Sequence, residues 1–287
     1  MPTSPPPPPD HGVLYVIGTP IGNLEDASPR SKRLLAEVDI IAAEDTRTAK
    51  HLLTHFQIPA PTILSYFEGN EASRTPQLLE ELANGKSVGL ISEAGMPAVS
   101  DPGQRLIAAV SDAGFIVIPI PGPSAVISAV VGSGLPTGRF SFIGFLPRER
   151  GARRKALGEL RTHPETLIFY ESPERAGACL SDMAEAFGPE RPAVLARELT
   201  KRYEEFVRGT CQSLAQQYAQ KAPRGECTLV IGGCSTQEEQ PLDLDTAVRE
   251  LLAQGLGPKD IASRLMVKTG KPRRELYQLA LSLARER

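Results

Sequence analysis

A chain of 287 residues, 41% of them hydrophobic, can bury a sizeable core and points to two compact domains more readily than one. Its 32 basic and 34 acidic residues nearly cancel, which excludes nucleic-acid binding through bulk charge and requires any basic site to be local. The four cysteines, Cys179, Cys211, Cys227 and Cys234, never approach a C-x-x-C spacing, so a secreted disulfide framework is excluded and a reducing, cytoplasmic setting is expected.

The first stretch, MPTSPPPPPDHG, lacks the basic and apolar segments of a signal peptide and reads as a polyproline-like tail over residues 1–11. Short apolar runs then alternate with helical patterns. VLYVIG is strand-like, IIAAE lies between two helices, and TILSY is a third strand. A helix in RTPQLLEELANG, the strand SVGLIS, the helix GQRLIAAVSDAG and the strand FIVIPI follow. This rhythm predicts a parallel sheet covered by helices over residues 12–138. Residues 115–138 carry no charge, but Pro119, Pro121, Pro123 and Pro136 break the run, which predicts strand, turn and buried helix and no membrane span.

A second α/β unit is expected over residues 139–234, with strands in SFIGFLP, LIFYES, AVLAREL, EEFVRGT and CTLVIGG alternating with helices. The polar residues 235–242 read as a linker. Three short helices are expected over residues 243–287, a small basic appendage of helix-turn-helix type.

Three Gly/Pro-rich loops follow strand ends: GTPIGNLED, SEAGMPAVSDPG and PGPSAV. Ligands of open parallel sheets bind outside the carboxyl ends of the strands, so these loops would wall one pocket for a small polar molecule. Asp101 and Pro102 also read as the N-cap and first residue of the next helix. GTPIGNLED is neither a P-loop nor a full G-x-G-x-x-G, which argues against a nucleotide triphosphatase. His51 and His55 are one helical turn apart, as two metal ligands would be, yet no third ligand or H-E-x-x-H motif accompanies them, so no metal is expected. No G-x-S-x-G marks a nucleophile.

Together GTPIGNLED, AEDTRTAKHLL, SEAGMPAVSDPG, PIPGPSAVISAVVGSGLPTGRFSFIGFLP, FYESPERA and ARELTKRYEE resemble the tetrapyrrole-methylase-like superfamily of S-adenosylmethionine-dependent methyltransferases, and within it the branch that modifies small-subunit ribosomal RNA. The resemblance runs from about residue 12 to residue 287; it departs at Glu93, where aspartate is expected, and at the proline-rich start. It implies a two-domain α/β fold with a parallel-sheet first domain and a mixed-sheet second domain, a homodimer, and S-adenosylmethionine held between the domains. Carried over by motif, Ile21, Gly22, Gly95, Met96, Val99, Ser124 and Ala125 would line the cofactor pocket, with Tyr170 closing it. The implied reaction is 2'-O-methylation of the decoding-site cytidine of 16S ribosomal RNA, the cytidine that can also carry an N4-methyl group, with no role for DNA.

Methyl transfer to a ribose hydroxyl needs in-line approach and removal of a proton. Glu198 or Lys201 in ARELTKRYEE would orient the hydroxyl or accept its proton, with Arg197 and Arg175 near phosphates; a salt-bridge network is the competing reading. Residues 147–161 hold six basic and two acidic side chains, and residues 258–287 hold eight and three, so Arg153, Arg154, Lys268, Arg273 and Arg274 are candidate RNA contacts. Arg47 is a substrate-side candidate, in a segment that would equally cap a helix. Two alternatives compete: a precorrin-type tetrapyrrole methyltransferase, disfavoured by the basic appendage, and a non-catalytic RNA-binding assembly protein, disfavoured by the intact loops.

Overall fold

In the computed structural model, residues 12–234, 244–254, 256–269 and 272–285 are described. The proline-rich start and the expected linker lie outside them. Five strands form the first sheet: β1 (Val13–Ile17), β2 (Ile40–Ala43), β3 (Thr62–Ser65), β4 (Val88–Ile91) and β5 (Ile116–Ile120). They are all parallel, in the order β3-β2-β4-β1-β5. Central strands covered on both faces must be apolar throughout, and VGLI and IIAA are buried at every position. The covering helices are α1 (Pro29–Glu37), α2 (Thr46–His55), α3 (Glu71–Ala83) and α4 (Gln104–Asp112), and α5 (Ala125–Ser133) follows β5.

The second sheet joins β6 (Phe140–Phe145), β7 (Thr166–Glu171), β8 (Pro192–Arg197), β9 (Glu205–Thr210) and β10 (Cys227–Ile231) in the order β6-β7-β10-β8-β9. It is mixed, because β6 and β7 run parallel while β10 is antiparallel to both β7 and β8. Helices α6 (Arg150–Glu159), α7 (Pro173–Phe187) and α8 (Cys211–Gln217) accompany it. The expected alternation with helices fails between β8 and β9, which pair antiparallel across a tight turn over residues 198–204. Glu198 (φ 50°) and Thr200 (φ 66°) take left-handed backbone there, a signal no glycine announces.

Helix α5 ends the first half in chain order but lies on the second sheet. Its Val126, Ala129 and Val130, with Ile21, pack against Ile168, Val194, Ala196, Leu199 and Val230. Arg208 on β9 donates to the Gly132 carbonyl at 2.5 Å and the Ser133 carbonyl at 3.1 Å, placing a cation at the helix C-terminus where the macrodipole favours one. This seam fixes one sheet against the other and thereby sets the cleft between them.

The described residues of 1–234 and those of 235–287 form two compact units. In the second, α9 (Leu244–Ala253), α10 (Pro258–Thr269) and α11 (Arg273–Arg285) surround a small core of Val248, Ile261, Ala262, Leu265, Leu276, Ala280 and Leu283. No helix among the described residues is long and apolar enough to cross a membrane.

Candidate functional site

Strands β4, β1 and β5 are neighbours, so the loops leaving their carboxyl ends meet. Two close contacts clip them together. Thr19 N–H donates to the Gly95 carbonyl at 2.9 Å and Gly95 N–H returns a bond to Thr19 at 3.1 Å. Gly18 and Gly122 lie back to back: a Cβ built on Gly122 would stand 2.7 Å from Gly18 Cα. Side-chain bulk at either glycine would force the first and third loops apart.

The second sheet supplies the opposite wall. Antiparallel pairing of β7 and β10 sets Tyr170 across from Thr228 and Glu171 across from Cys227, which brings residues distant in sequence to one sheet edge. The result is a cavity of about 370 Å³ lined by Ile21, Gly95, Met96, Val99, Ser124, Ala125 and Tyr170, seven of the eight candidates for cofactor contact. The eighth, Gly22, faces an adjoining cavity of about 260 Å³ with Thr19, His51 and His55. Gly22 instead makes room for Lys201, whose Cγ would lie 2.5 Å from a Cβ added there. Among the described residues no group of three or more His, Cys, Asp or Glu is placed to hold a metal ion.

Sequence reasoning missed Asp101, Phe145, Glu226, Cys227 and Thr228, which also line the larger cavity. No motif marks residues 226–228; only the strand pairing places them. Asp101 was obscured by its resemblance to a helix cap. Helix α4 starts at Gln104 with Gly103 as N-cap, so the expected Asp101–Pro102 cap is corrected and the Asp101 carboxyl stands near the Ser92 hydroxyl instead.

Tyr170 packs edge-on against Phe142 at 4.9 Å between centroids and tilts against Phe145 at 5.5 Å. Burial, with the nearby Asp101 and Glu226 charges, pushes its phenol up to about 12. Burial likewise pushes the Cys227 thiol up to about 12. Neither group ionises near neutral pH, so neither supplies a competing nucleophile in the cavity.

The expected catalytic cluster lies beside the cavity and is fully engaged. Lys201 Nζ donates to Glu198 Oε1 and Glu226 Oε2, each at 3.0 Å. Burial opposes the lysine charge, but the two carboxylates outweigh it and raise its pKa. The bond from Lys201 holds Glu198 below the ordinary carboxylate value. Arg197 pairs with Glu205 on the facing strand, Nη2 to Oε2 at 2.6 Å. A cationic amine and an ion-paired carboxylate are poor proton acceptors. The arrangement is a brace that lays the lysine stem over the first loop.

The basic candidates separate by exposure. Arg153 is internal: its side chain is 7% exposed and bonds Asp182, itself 1% exposed, at 2.5 Å, so it does not present charge to a phosphate. Arg175 ties the Leu146 and Pro147 carbonyls to Glu171 and is half-buried. Arg154 is half-exposed and pairs with Glu185 on α7. Arg47, 85% exposed, pairs with Asp45, the N-cap of α2, whose carboxyl that contact holds well below the usual range. Arg273 and Arg274 are exposed in the first turn of α11. Lys268 is on α10, with its side chain outside the described residues.

The cavity fits a compact molecule with an aromatic base and positive charge. Its volume lies in the ordinary range for small-molecule sites. Apolar and aromatic surface from Ile21, Met96, Val99, Phe145 and Tyr170 suits a purine, the N-terminus of α5 at Ser124 and Ala125 offers N–H groups to a carboxylate, and Asp101, Glu171 and Glu226 suit cationic centres.

Comparison with known proteins agrees with this anatomy. A family model for Tetrapyrrole (Corrin/Porphyrin) Methylases matches residues 13–215. Ribosomal RNA small subunit methyltransferase I of Synechocystis sp. is 46% identical over 276 residues, covering 95% of this chain and 98% of its own. The protein of the same name from Halalkalibacterium halodurans is 42% identical over 276 residues, covering 94% and 95%. Among solved structures, uroporphyrin-III C-methyltransferase from Thermus thermophilus, complexed with S-adenyl homocysteine, superposes with a TM-score of 0.53 at 19% identity, covering 77% of this chain and 97% of its own.

Proposed function

The chain belongs to the ribosomal RNA small subunit methyltransferase I family, within the tetrapyrrole (corrin/porphyrin) methylases, and from that premise we propose that it methylates the 2'-hydroxyl of the decoding-site cytidine in 16S small-subunit ribosomal RNA. It is an S-adenosylmethionine-dependent methyltransferase. The observation that carries the site assignment is the single cavity into which all three strand-end loops of the first sheet and the β7–β10 edge of the second converge. Bound there, the cofactor supplies an electrophilic methyl group.

The protein's own residues do the rest. Tyr170 and Phe145 present aromatic surface for the adenine, Ser124 and Ala125 offer the helix N-terminus, and Gly95 and Met96 form the opposing wall. Lys201, braced by Glu198 and Glu226, holds the second domain against the first loop. Arg47 on the first unit, and Arg273 and Arg274 on the second, are the exposed cations we assign to RNA phosphates. Full-length relatives named for ribosomal RNA support this reading over a tetrapyrrole substrate, because the tetrapyrrole-enzyme structure covers 77% of the chain whereas those relatives cover about 95%. Exposed apolar Ile116 on edge strand β5, with Ile127 and Val131 on α5, supports a homodimer. Its working place is the cytoplasm, where its substrate is.

Labelled S-adenosylmethionine incubated with small ribosomal subunits lacking ribose methylation tests the proposal, with nucleoside mass spectrometry as the readout. A 2'-O-methylated cytidine is expected. Cofactor binding without transfer to the subunit, or transfer to a tetrapyrrole instead, would overturn the substrate assignment.

A further inference from the structure

Three carboxylates line the cavity of about 370 Å³, and two are already matched with cations. Glu171 bonds Arg175 at 3.1 Å, and Glu226 bonds Lys201 at 3.0 Å. Asp101 has no ion-pair partner among the described residues; the nearby Ser92 hydroxyl donates to the Ala94 carbonyl at 3.4 Å. It also stands in the wall of a second space. A polar cleft of about 740 Å³, lined by Glu44, Glu68, Glu71, Gln104 and Arg105, meets the cavity at Ser100 and Asp101. A group shared by a cofactor cavity and an open polar cleft is placed where an acceptor entering from the cleft meets the reacting methyl.

The loop is held in this shape by unusual backbone. Ala98 (φ 68°) and Ser100 (φ 63°) take left-handed conformations that L-residues avoid, at a cost of about 1–2 kcal/mol each. Gly103 N–H, where the loop enters α4, is held by Glu71 Oε1 at 2.9 Å. We propose that Asp101 is the proton acceptor for the hydroxyl that is methylated, positioned between the cofactor cavity and the cleft that admits the ribose. This inference rests on the reading that the cavity holds S-adenosylmethionine and that a ribose hydroxyl is the acceptor.

In that step the hydroxyl oxygen gains the methyl carbon and gives its proton to the Asp101 carboxylate. The departing sulfur keeps the C–S bonding pair, and the carboxylic acid then returns its proton to water. Other titratable groups near the cavity suit the role less. Lys201 is cationic, Glu198 is ion-paired, and Tyr170 and Cys227 ionise only near 12. Burial, and the Glu93 charge on its own loop, raise Asp101 above its ordinary 3.8, toward the range in which a carboxylate accepts a proton more effectively. The groups around it are Glu44 just after β2, Glu68 in the turn before α3, Glu71 at the start of α3, Arg105 on α4, Tyr170 and Glu171 on β7, and Glu226 beside β10. Glu44 is also raised, by burial, but one of its oxygens accepts the Glu93 N–H at 3.2 Å and it lines the cleft alone.

The test compares wild type, Asp101→Asn, Asp101→Glu and Glu44→Gln in single-turnover methyl transfer to small ribosomal subunits, across roughly pH 5 to 9. S-adenosylhomocysteine affinity by calorimetry is measured beside it. Asp101→Asn is expected to slow transfer by about 10²–10⁴-fold and abolish the acid limb of the pH profile, with cofactor affinity lowered far less than the rate. Asp101→Glu should restore part of the rate, and Glu44→Gln should keep the limb. In a readout that needs no turnover, the Asp101 carboxyl ¹³C resonance, assigned by its loss in Asp101→Asn, should titrate above 3.8. An Asn variant within about threefold of wild type, or one that loses cofactor affinity in step with rate, would overturn the inference while leaving the substrate reading intact. A resonance titrating at or below 3.8 would do the same. No transfer by wild type would overturn the reading and the inference together.

Discussion

Replacing Gly18 by alanine tests whether the three loops form one wall. The added Cβ would lie 2.8 Å from Gly122 Cα, 3.1 Å from Gly122 N and 2.6 Å from Met96 Sδ. Met96 is flexible and swings aside, but Gly122 is backbone. An ordinary carbon–carbon contact is about 3.5–4.0 Å, so the first and third loops must separate by roughly 1 Å. Gly18 N–H bonds the Ile120 carbonyl at 3.3 Å, which resists that movement, and overpacking of this kind costs about 1–3 kcal/mol. The first loop contributes Ile21 to the cavity and the third contributes Ser124 and Ala125, so much of the cost falls on the bound state. At 1.4 kcal/mol per decade, S-adenosylhomocysteine affinity should fall by about tenfold or more. Calorimetry reads the affinity and urea unfolding reads the stability. If affinity stayed within twofold of wild type and the urea midpoint did not move, the close packing of the two loops would not be what shapes the cavity.

Gly158, in α6, offers the opposite sign: nothing lies within 4 Å of its hypothetical Cβ and it is exposed, so Gly158→Ala should stabilise by about 0.5–1 kcal/mol in urea unfolding. Asp182→Ala leaves the Arg153 guanidinium buried without its carboxylate and should destabilise by about 3–5 kcal/mol, seen as a large drop in Tm. Asp39 accepts bonds from Ser87 N and Oγ, each at 2.8 Å, and the backbone bond leads in holding its pKa below 3.8. A carboxyl lowered on folding contributes stability above its unfolded value and loses it as pH falls through the folded one. The stability gap between wild type and Asp39→Asn should therefore be constant above about pH 5 and close as pH drops below 3.8; urea midpoints measured against pH check the sign.

Much of the first sheet was legible because buried parallel strands must be apolar along their whole length. VGLI and IIAA carry that signature, and the loops that follow strand ends carry glycine and proline where close approach demands them. The meeting of the three loops in one cavity wall was legible for the same reason: loops at the carboxyl ends of adjacent strands meet whatever their side chains. What local pattern cannot report is which ends of an antiparallel pair coincide. Residues 226–228 have no motif, yet register with β7 sets them across from Tyr170 and Glu171.

Charge runs were read too uniformly. The basic segment before α7 was read as a source of RNA contacts throughout, but Arg153 stands four residues before buried Leu157, on the same side of α6, where it faces Asp182. That spacing was available in the sequence; the partner was not. Asp101 shows the converse. An Asp-Pro before a helix reads as a cap because capping is the commonest use of that pair, and the carboxylate is released for chemistry only because two left-handed residues and Gly103 delay the start of α4. Backbone strain at Ala98 and Ser100 is invisible to propensity, since neither residue favours it. It persists because the Thr19–Gly95 bridge on one side and the Glu71 contact to Gly103 on the other fix both ends of the loop. A site whose shape is set by such long-range clamps places its reactive group where local preference would not. At this position the sequence and the fold therefore disagree, and the cavity and the cleft meet there.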